Sequence, residues 1–241
     1  MGNIPKQPEE IFEKFTNDYK AAFGTDLVAI ILYGSAARGQ YVFKKSDINF
    51  LIVLSEKGIF NLQKALPLIK SWQGQNVSTP LMLTKNHIQT SLDTFPIEFW
   101  DMRENHKVIF GEDVFSGIEI SPEYLRLQAE RELRGKLIQL RENYLNTAGD
   151  PKKVKHLLNI SLSSFATIFS ALLKLKEIKS PASRTDIFKN TAKEFNLDYS
   201  IFEKVIKIKE NDLKMNKSEL LQLIEKYIEE ISKLIKIVDE L

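Results

Sequence analysis

The spacing of apolar side chains changes partway along the chain. Leu27 to Tyr33 (LVAIILY) is a short apolar run that ends on Gly34-Ser35, and Ile48 to Leu54 (INFLIVL) is a second, rich in β-branched and aromatic residues. Runs of this length and composition predict buried strands. Leu81 to Leu83 and Ile97 to Met102 are shorter strand candidates, while the spacing around residues 8 to 23 and 59 to 72 is helical. Together these predict a mixed α/β unit. From Ser121 onward apolar residues recur at three- and four-residue steps: Leu125, Leu133, Leu137, Leu140 and Tyr144, then Leu157, Leu158, Leu162, Phe165, Phe169 and Leu172. That is the stripe of helices in a bundle.

Turn-forming residues follow the same division. All ten glycines lie at or before Gly149, and Pro181 is the one proline after Pro151. Asp150-Pro151 and Lys179 to Ser183 mark breaks between helices; Ser183 with Asp186 has the spacing of a capping box with a shortened acid, and Asn216 or Ser218 is placed to start the last helix. The expected organisation is an α/β domain over residues 1–115 and an all-α helical bundle domain over 120–241. No internal repeat or low-complexity segment interrupts it.

Composition narrows the classes. The 241 residues, 43% apolar and 27% charged, suit a globular chain and exclude collagen-like or wholly disordered ones. Cysteine is absent, so disulfides, thiolate metal sites and cysteine nucleophiles are excluded. The first residues, MGNIPKQPEEIFEKF, lack the apolar core of a signal peptide, and no run of about 18 apolar residues follows, which leads to the expectation of a cytoplasmic protein without a membrane partner. With 34 basic and 32 acidic side chains the formal charge is +2, no basis for a nucleic-acid partner. The first 150 residues carry 17 basic and 19 acidic groups and the last 91 carry 17 and 13. The excess positive charge therefore belongs to the helical half. Its lysines, Lys204, Lys207, Lys209 and Lys214 among them, alternate with apolar residues as a solvated helix face does.

The chemistry concentrates in Leu32-Tyr-Gly-Ser-Ala-Ala-Arg-Gly-Gln40 and Ser46-Asp-Ile-Asn-Phe50. A strand running into Gly34-Ser35 presents backbone N–H groups at a tight turn. Gly34 lets a phosphate approach closely, and the Ser35 hydroxyl can donate to a phosphate oxygen. Gly39 and Arg38 extend that surface, and a guanidinium matches phosphate geometry. Asp47 follows Ser35 by twelve residues at the head of the second strand; alternation points Asp47 and Asn49 to one face and Ile48 and Phe50 to the other. Ser46 is placed to cap or orient Asp47. Lys44 and Lys45 lie in the spacer loop as ordinary solvated lysines. His87, His106 and His156 lack zinc-ligand spacing, and Trp72 and Trp100 fit helix and strand cores.

An apolar residue, Gly-Ser, eleven residues and then Asp-x-Asn resembles the signature of the nucleotidyltransferase superfamily related to DNA polymerase β. The wording Gly-Ser-Ala-Ala-Arg-Gly is most similar to the bacterial branch of aminoglycoside and minimal nucleotidyltransferases, over about residues 25 to 112. The resemblance implies transfer of a nucleoside monophosphate from a triphosphate such as ATP to a hydroxyl acceptor, a small molecule or a protein, with release of pyrophosphate. It implies Mg²⁺ or Mn²⁺ held by Asp47, Asn49 and a third acid, and a nucleotide held by Gly34, Ser35, Arg38 and Ser46. Glu98, in Phe95-Pro-Ile-Glu-Phe-Trp-Asp101, is the natural third acid and the catalytic partner of Asp47 if that segment is a strand; Asp101, of opposite strand parity, competes with it. His106 to Asp113 looks like the helix and turn that close the domain in this branch.

Asn49 departs from the pattern, because an amide ligates Mg²⁺ without bringing charge. Two readings follow: a metal-dependent nucleotidyltransferase with one weakened metal position, and a nucleotide-binding regulator or partner protein that does not turn over. A third has the helical half as an interaction module and the turn as a relict. In architecture the helical half resembles the substrate-side domain of antibiotic nucleotidyltransferases or the helical partners of minimal ones, which implies acceptor contacts, a homodimer interface or a helical partner protein. Glu130-Arg131-Glu132 and Arg141-Glu142 read as solvated helix positions there.

Overall fold

The structure is a computed structural model that describes residues 4–178, 181, 183–210 and 212–241. The chain divides into two compact units, Met1–Ile120 and Ser121–Leu241.

The first unit is built on a four-stranded mixed sheet. Strand β1 (Leu27–Tyr33) pairs antiparallel with β2 (Asn49–Leu54), and β3 (Leu81–Thr84) runs parallel to β2. On its other side β1 pairs antiparallel with β4 (His106–Gly111), giving the order β3-β2-β1-β4. A parallel pair requires a crossover. Here a 3-10 segment (Gly58–Ala65) and helix α2 (Leu66–Gln73) supply it.

The central strands are apolar throughout because both faces of the sheet are covered. Ile30, Leu32, Phe50 and Ile52 pack against Phe15 and Tyr19 of α1 (Phe12–Phe23) and Trp72 of α2, the Phe15 ring stacked on Phe50 with centroids 4.1 Å apart. Ala29, Ile31, Leu51 and Val53 face the other way, onto Ile88 of α3 (Lys85–Thr90), Phe99 and Met102 of α4 (Pro96–Glu104), and Phe115. Gly111 ends β4 where a Cβ would lie 2.0 Å from the Val28 carbonyl oxygen, so only glycine lets the two backbones approach this closely.

Two sequence expectations are corrected here. Ile97 to Met102 is not a strand but most of α4. Pro96 sits in the first turn of that helix, where its fixed φ and missing N–H cost nothing, and Glu98 places an acid at the same end. Trp100 is accordingly a buried helix residue. His106 to Asp113 is not a helix and turn: Val108, Ile109 and Phe110 belong to β4, whose pairing with β1 overrides any local helical preference.

The second unit is all-helical: α5 (Pro122–Asn146), α6 (Pro151–Leu175), α7 (Arg184–Glu194), α8 (Tyr199–Lys209) and α9 (Lys217–Asp239). Their starts follow from side-chain oxygens. Asp150 accepts the Lys153 N–H, Ser183 accepts the Asp186 N–H, and Asn216 and Glu219 exchange bonds in a capping box. Of the break read at 179–183, residues 179, 180 and 182 lie outside the described residues. Helix α6 is the core element, packing against α5, α7, α8 and α9. Phe165 and Phe169 on α6 meet Phe188 of α7, Phe202 of α8 and Tyr227 of α9, with ring centroids 4.8 to 6.1 Å apart. By length and composition α6 would suffice to cross a membrane, but 67% of its most apolar window is buried inside the bundle.

Candidate functional site

The turn after β1 is shaped by glycine. Gly34 and Gly39 have φ of 74° and 71°, in the left-handed region. A Cβ on Gly34 would also lie 3.1 Å from the Asn49 amide nitrogen, so this position is constrained by its backbone and by its neighbour. The turn is closed by three backbone bonds: the Arg38 N–H donates to the Gly34 carbonyl, Gly39 to Ala36, and Gln40 to Ser35 at 2.9 Å. Ala36 is buried and anchors the loop to the α1-side core.

The spacer returns the chain to the same end of the sheet. Ser46 closes it: its Oγ accepts the Val42 N–H at 3.0 Å and its own N–H donates to the Val42 carbonyl. Ser46 thus orders the loop before Asp47 through the backbone of Val42. Lys44 adopts a left-handed φ of 62°, with its ammonium over the Phe43 ring. Ile48 is then fixed to a neighbouring segment, donating to the Asn76 carbonyl and accepting from Ser78. In the β1–β2 register Tyr33 is the partner of Asn49. Gly34 and Ser35 therefore emerge directly beside the residues that lead into β2. Ile48 and Phe50 enter the α1-side core, while Asn49 is half-buried and Asp47 exposed. Burial holds the Tyr33 phenol above its ordinary pKa.

Helix α4 contributes the remaining acids. Asp101 accepts a hydrogen bond from the Arg38 guanidinium and forms an ion pair with it; the Asn105 amide also reaches this carboxylate, at 3.3 Å. Glu98 is exposed on the same helix. Because the segment is helical, the strand-parity argument that separated Glu98 from Asp101 does not hold: residues three apart on a helix share a face. Ile97, Phe99, Trp100 and Met102 fill the buried sides and leave Glu98 and Asp101 on the open one. Sequence reasoning missed the Arg38–Asp101 pair, and no local signal could have revealed it, since the partners are 63 residues apart. Beyond α4, His106 lies between the Arg103 carbonyl (Nδ1, 3.0 Å) and the Asp113 carboxylate (Nε2, 3.1 Å), and Asp113 also caps the Phe115 N–H. These bonds tie down the chain after α4. Among the described residues, no group of three His, Cys, Asp or Glu side chains is placed to hold a metal ion.

A positive-φ glycine turn with an adjacent hydroxyl, an arginine and a facing aspartate can receive a phosphate chain. The architecture is that of the nucleotidyltransferase fold: a mixed four-stranded sheet with flanking helices, followed by a helical unit. Among solved structures the chain is similar to spectinomycin adenyltransferase AAD(9) from Enterococcus faecialis, determined with ATP and spectinomycin, at a TM-score of 0.54 and 14% sequence identity. The likeness covers 93% of this chain and 99% of that one. No protein-family profile and no curated protein sequence matches the chain.

Proposed function

We propose that the chain binds a nucleoside triphosphate on the Gly34–Gly39 turn and transfers its nucleotidyl group to a hydroxyl acceptor, releasing pyrophosphate. The observation that carries this reading is the Tyr33–Asn49 register pair, which brings the glycine turn beside Asp47 and Asn49 at one end of the sheet. In this proposal the backbone and hydroxyl of Ser35 and the guanidinium of Arg38 hold the β and γ phosphates, Gly34 gives them room, and Ser46 keeps the spacer in place. Asp47 and Glu98 are the catalytic acids. Asp47 and Asn49 offer a carboxylate and an amide oxygen, a donor set that fits one Mg²⁺ or Mn²⁺ shared with the triphosphate and not two ions held by side chains alone. Such an ion would offset charge on the departing pyrophosphate. The ATP and spectinomycin bound by the structural neighbour support a small hydroxylated acceptor.

A second reading, nucleotide binding without turnover by a regulator or partner protein, is favoured by two observations: Asn49 brings no charge, and among the described residues no group of three His, Cys, Asp or Glu side chains is placed to hold a metal ion. Calorimetric titration with ATP, with and without Mg²⁺, together with pyrophosphate release in the presence of spectinomycin and other polyols, tests both. Binding that disappears in Asp47→Ala and tightens in Asn49→Asp, with pyrophosphate release, is the expected result. Binding without release from any acceptor supports the second reading. Absence of binding of every nucleoside triphosphate overturns both.

A further inference from the structure

The helical unit has a concave surface of its own. Helix α8, the segment after it and the start of α9 surround a cavity of about 300 Å³. Its floor is apolar, formed by buried Ile201 and Leu223 and half-buried Met215. Lys204, Lys214 and Lys226 border it. Among the described residues none of these three ammonium groups is within ion-pair distance of an acid, Asp198 attracting Lys204 only at longer range, although Lys207 and Lys233 on the same two helices pair with Glu203 and Glu230. The acid in the lining, Glu219, is turned back on its own helix: Oε2 accepts the Asn216 N–H at 2.8 Å in the α9 capping box.

The lining's three lysines outnumber its one acid, and an anion placed among the lysines offsets that excess positive charge. An apolar body attached to that anion gains in addition from displacing water off the floor. A cavity of a few hundred Å³ with an apolar lining and a few polar groups at its rim is the usual form of a small-molecule site. We propose that this cavity binds a small organic anion, its phosphate or carboxylate among Lys204, Lys214 and Lys226 and its apolar body against Ile201, Met215 and Leu223. The inference does not depend on the nucleotide reading, which concerns the other unit.

Methyl-¹³C methionine NMR of the full chain tests it, with phenyl phosphate as the probe. Of the four methionines, Met215 lines the cavity, whereas Met82 belongs to the α/β unit and serves as an internal reference. The Met215 methyl is expected to shift saturably while Met82 stays in place. Inorganic phosphate should bind several-fold more weakly for want of the ring. Replacing two exposed charges, in Lys204→Gln/Lys226→Gln, should weaken phenyl phosphate about fivefold or more; helical circular dichroism and the melting temperature show whether the helical unit of that variant is folded. A Met215 signal that does not move, that moves equally in the folded double variant, or that reports equal affinity for inorganic phosphate overturns the proposal.

Discussion

Arg38, on the turn that follows β1, is held by Asp101 on α4 in an ion pair that spans 63 residues of sequence. The guanidinium proposed to clamp a triphosphate is thus already engaged with a carboxylate, and Asn105, which follows the last residue of α4, also donates to that carboxylate. The pair is only partly buried, with 32% and 20% of the two side chains exposed, so it is a contact that a phosphate can displace.

Asp101→Asn is therefore expected to release Arg38 at little cost to folding. A partly exposed pair is worth up to about 1 kcal/mol, so stability should fall by no more than that and ATP should bind about two- to fivefold more tightly. Calorimetry and chemical denaturation measure both. Weaker binding in this variant would show that Asp101 positions Arg38 instead of occupying it.

Gly34→Ala and Gly39→Ala form a matched pair. Both residues have positive φ, but an alanine at 34 also meets Asn49 whereas one at 39 meets open space. Each should lose about 1 to 2 kcal/mol from left-handed backbone alone, with Gly34→Ala losing more. ATP binding should fail first in Gly34→Ala. Equal losses in both variants would remove the Asn49 contact from the account.

The helical unit should be acid-sensitive. Glu130 is held below the usual carboxylate range by its hydrogen bond to Arg134 and by Arg126, Asp198 by the Ser200 side-chain and backbone bonds, and Asp150 by the Lys153 backbone N–H. A depressed native pKa stabilises the folded state above the unfolded-state value and is lost as pH falls through the native one. Unfolding free energy should then be flat from neutral pH down to about 5 and decline below about 4, the ordinary carboxylate range. Glu130→Gln should flatten that decline, as read from denaturation midpoints between pH 7 and pH 2.

Phe169 is fully buried among Phe165, Phe188 and Phe202. Phe169→Ala should destabilise the chain by about 3 to 5 kcal/mol through lost burial and the cavity left behind. Denaturation followed by tryptophan fluorescence reports the α/β unit, which contains both Trp72 and Trp100, while helical circular dichroism reports the bundle as well. Divergence of the two signals in this variant would show that the units unfold separately.

Much of the fold could be read along the chain wherever local pattern and tertiary demand agreed. The runs at 27–33 and 48–54 became β1 and β2, and the heptad-like stripes became α5 and α6, because burial requires that spacing whatever else the chain does. Asp150, Ser183 and Asn216 start helices because their side chains bond N–H groups within three residues. Such contacts involve only sequence neighbours, so composition and order suffice for them.

Position in space was not available in that way. Residues 96–104 are a helix because Pro96 opens one and because the Ala29–Val53 face of the sheet needs Phe99 and Met102 as cover; 106–111 form a strand because β1 has a free edge. Either segment, taken alone, has enough β-branched or helix-forming residues to go the other way. The same holds at the site. The residue types in Gly34-Ser35, Arg38, Asp47 and Asn49 are written in the sequence, and they specify what chemistry is available. That Arg38 meets Asp101, that Glu98 and Asp101 share one face of a helix, and that Asn49 lies against Gly34 were decided only when the sheet and α4 packed, since no local interaction links residues so far apart in the chain.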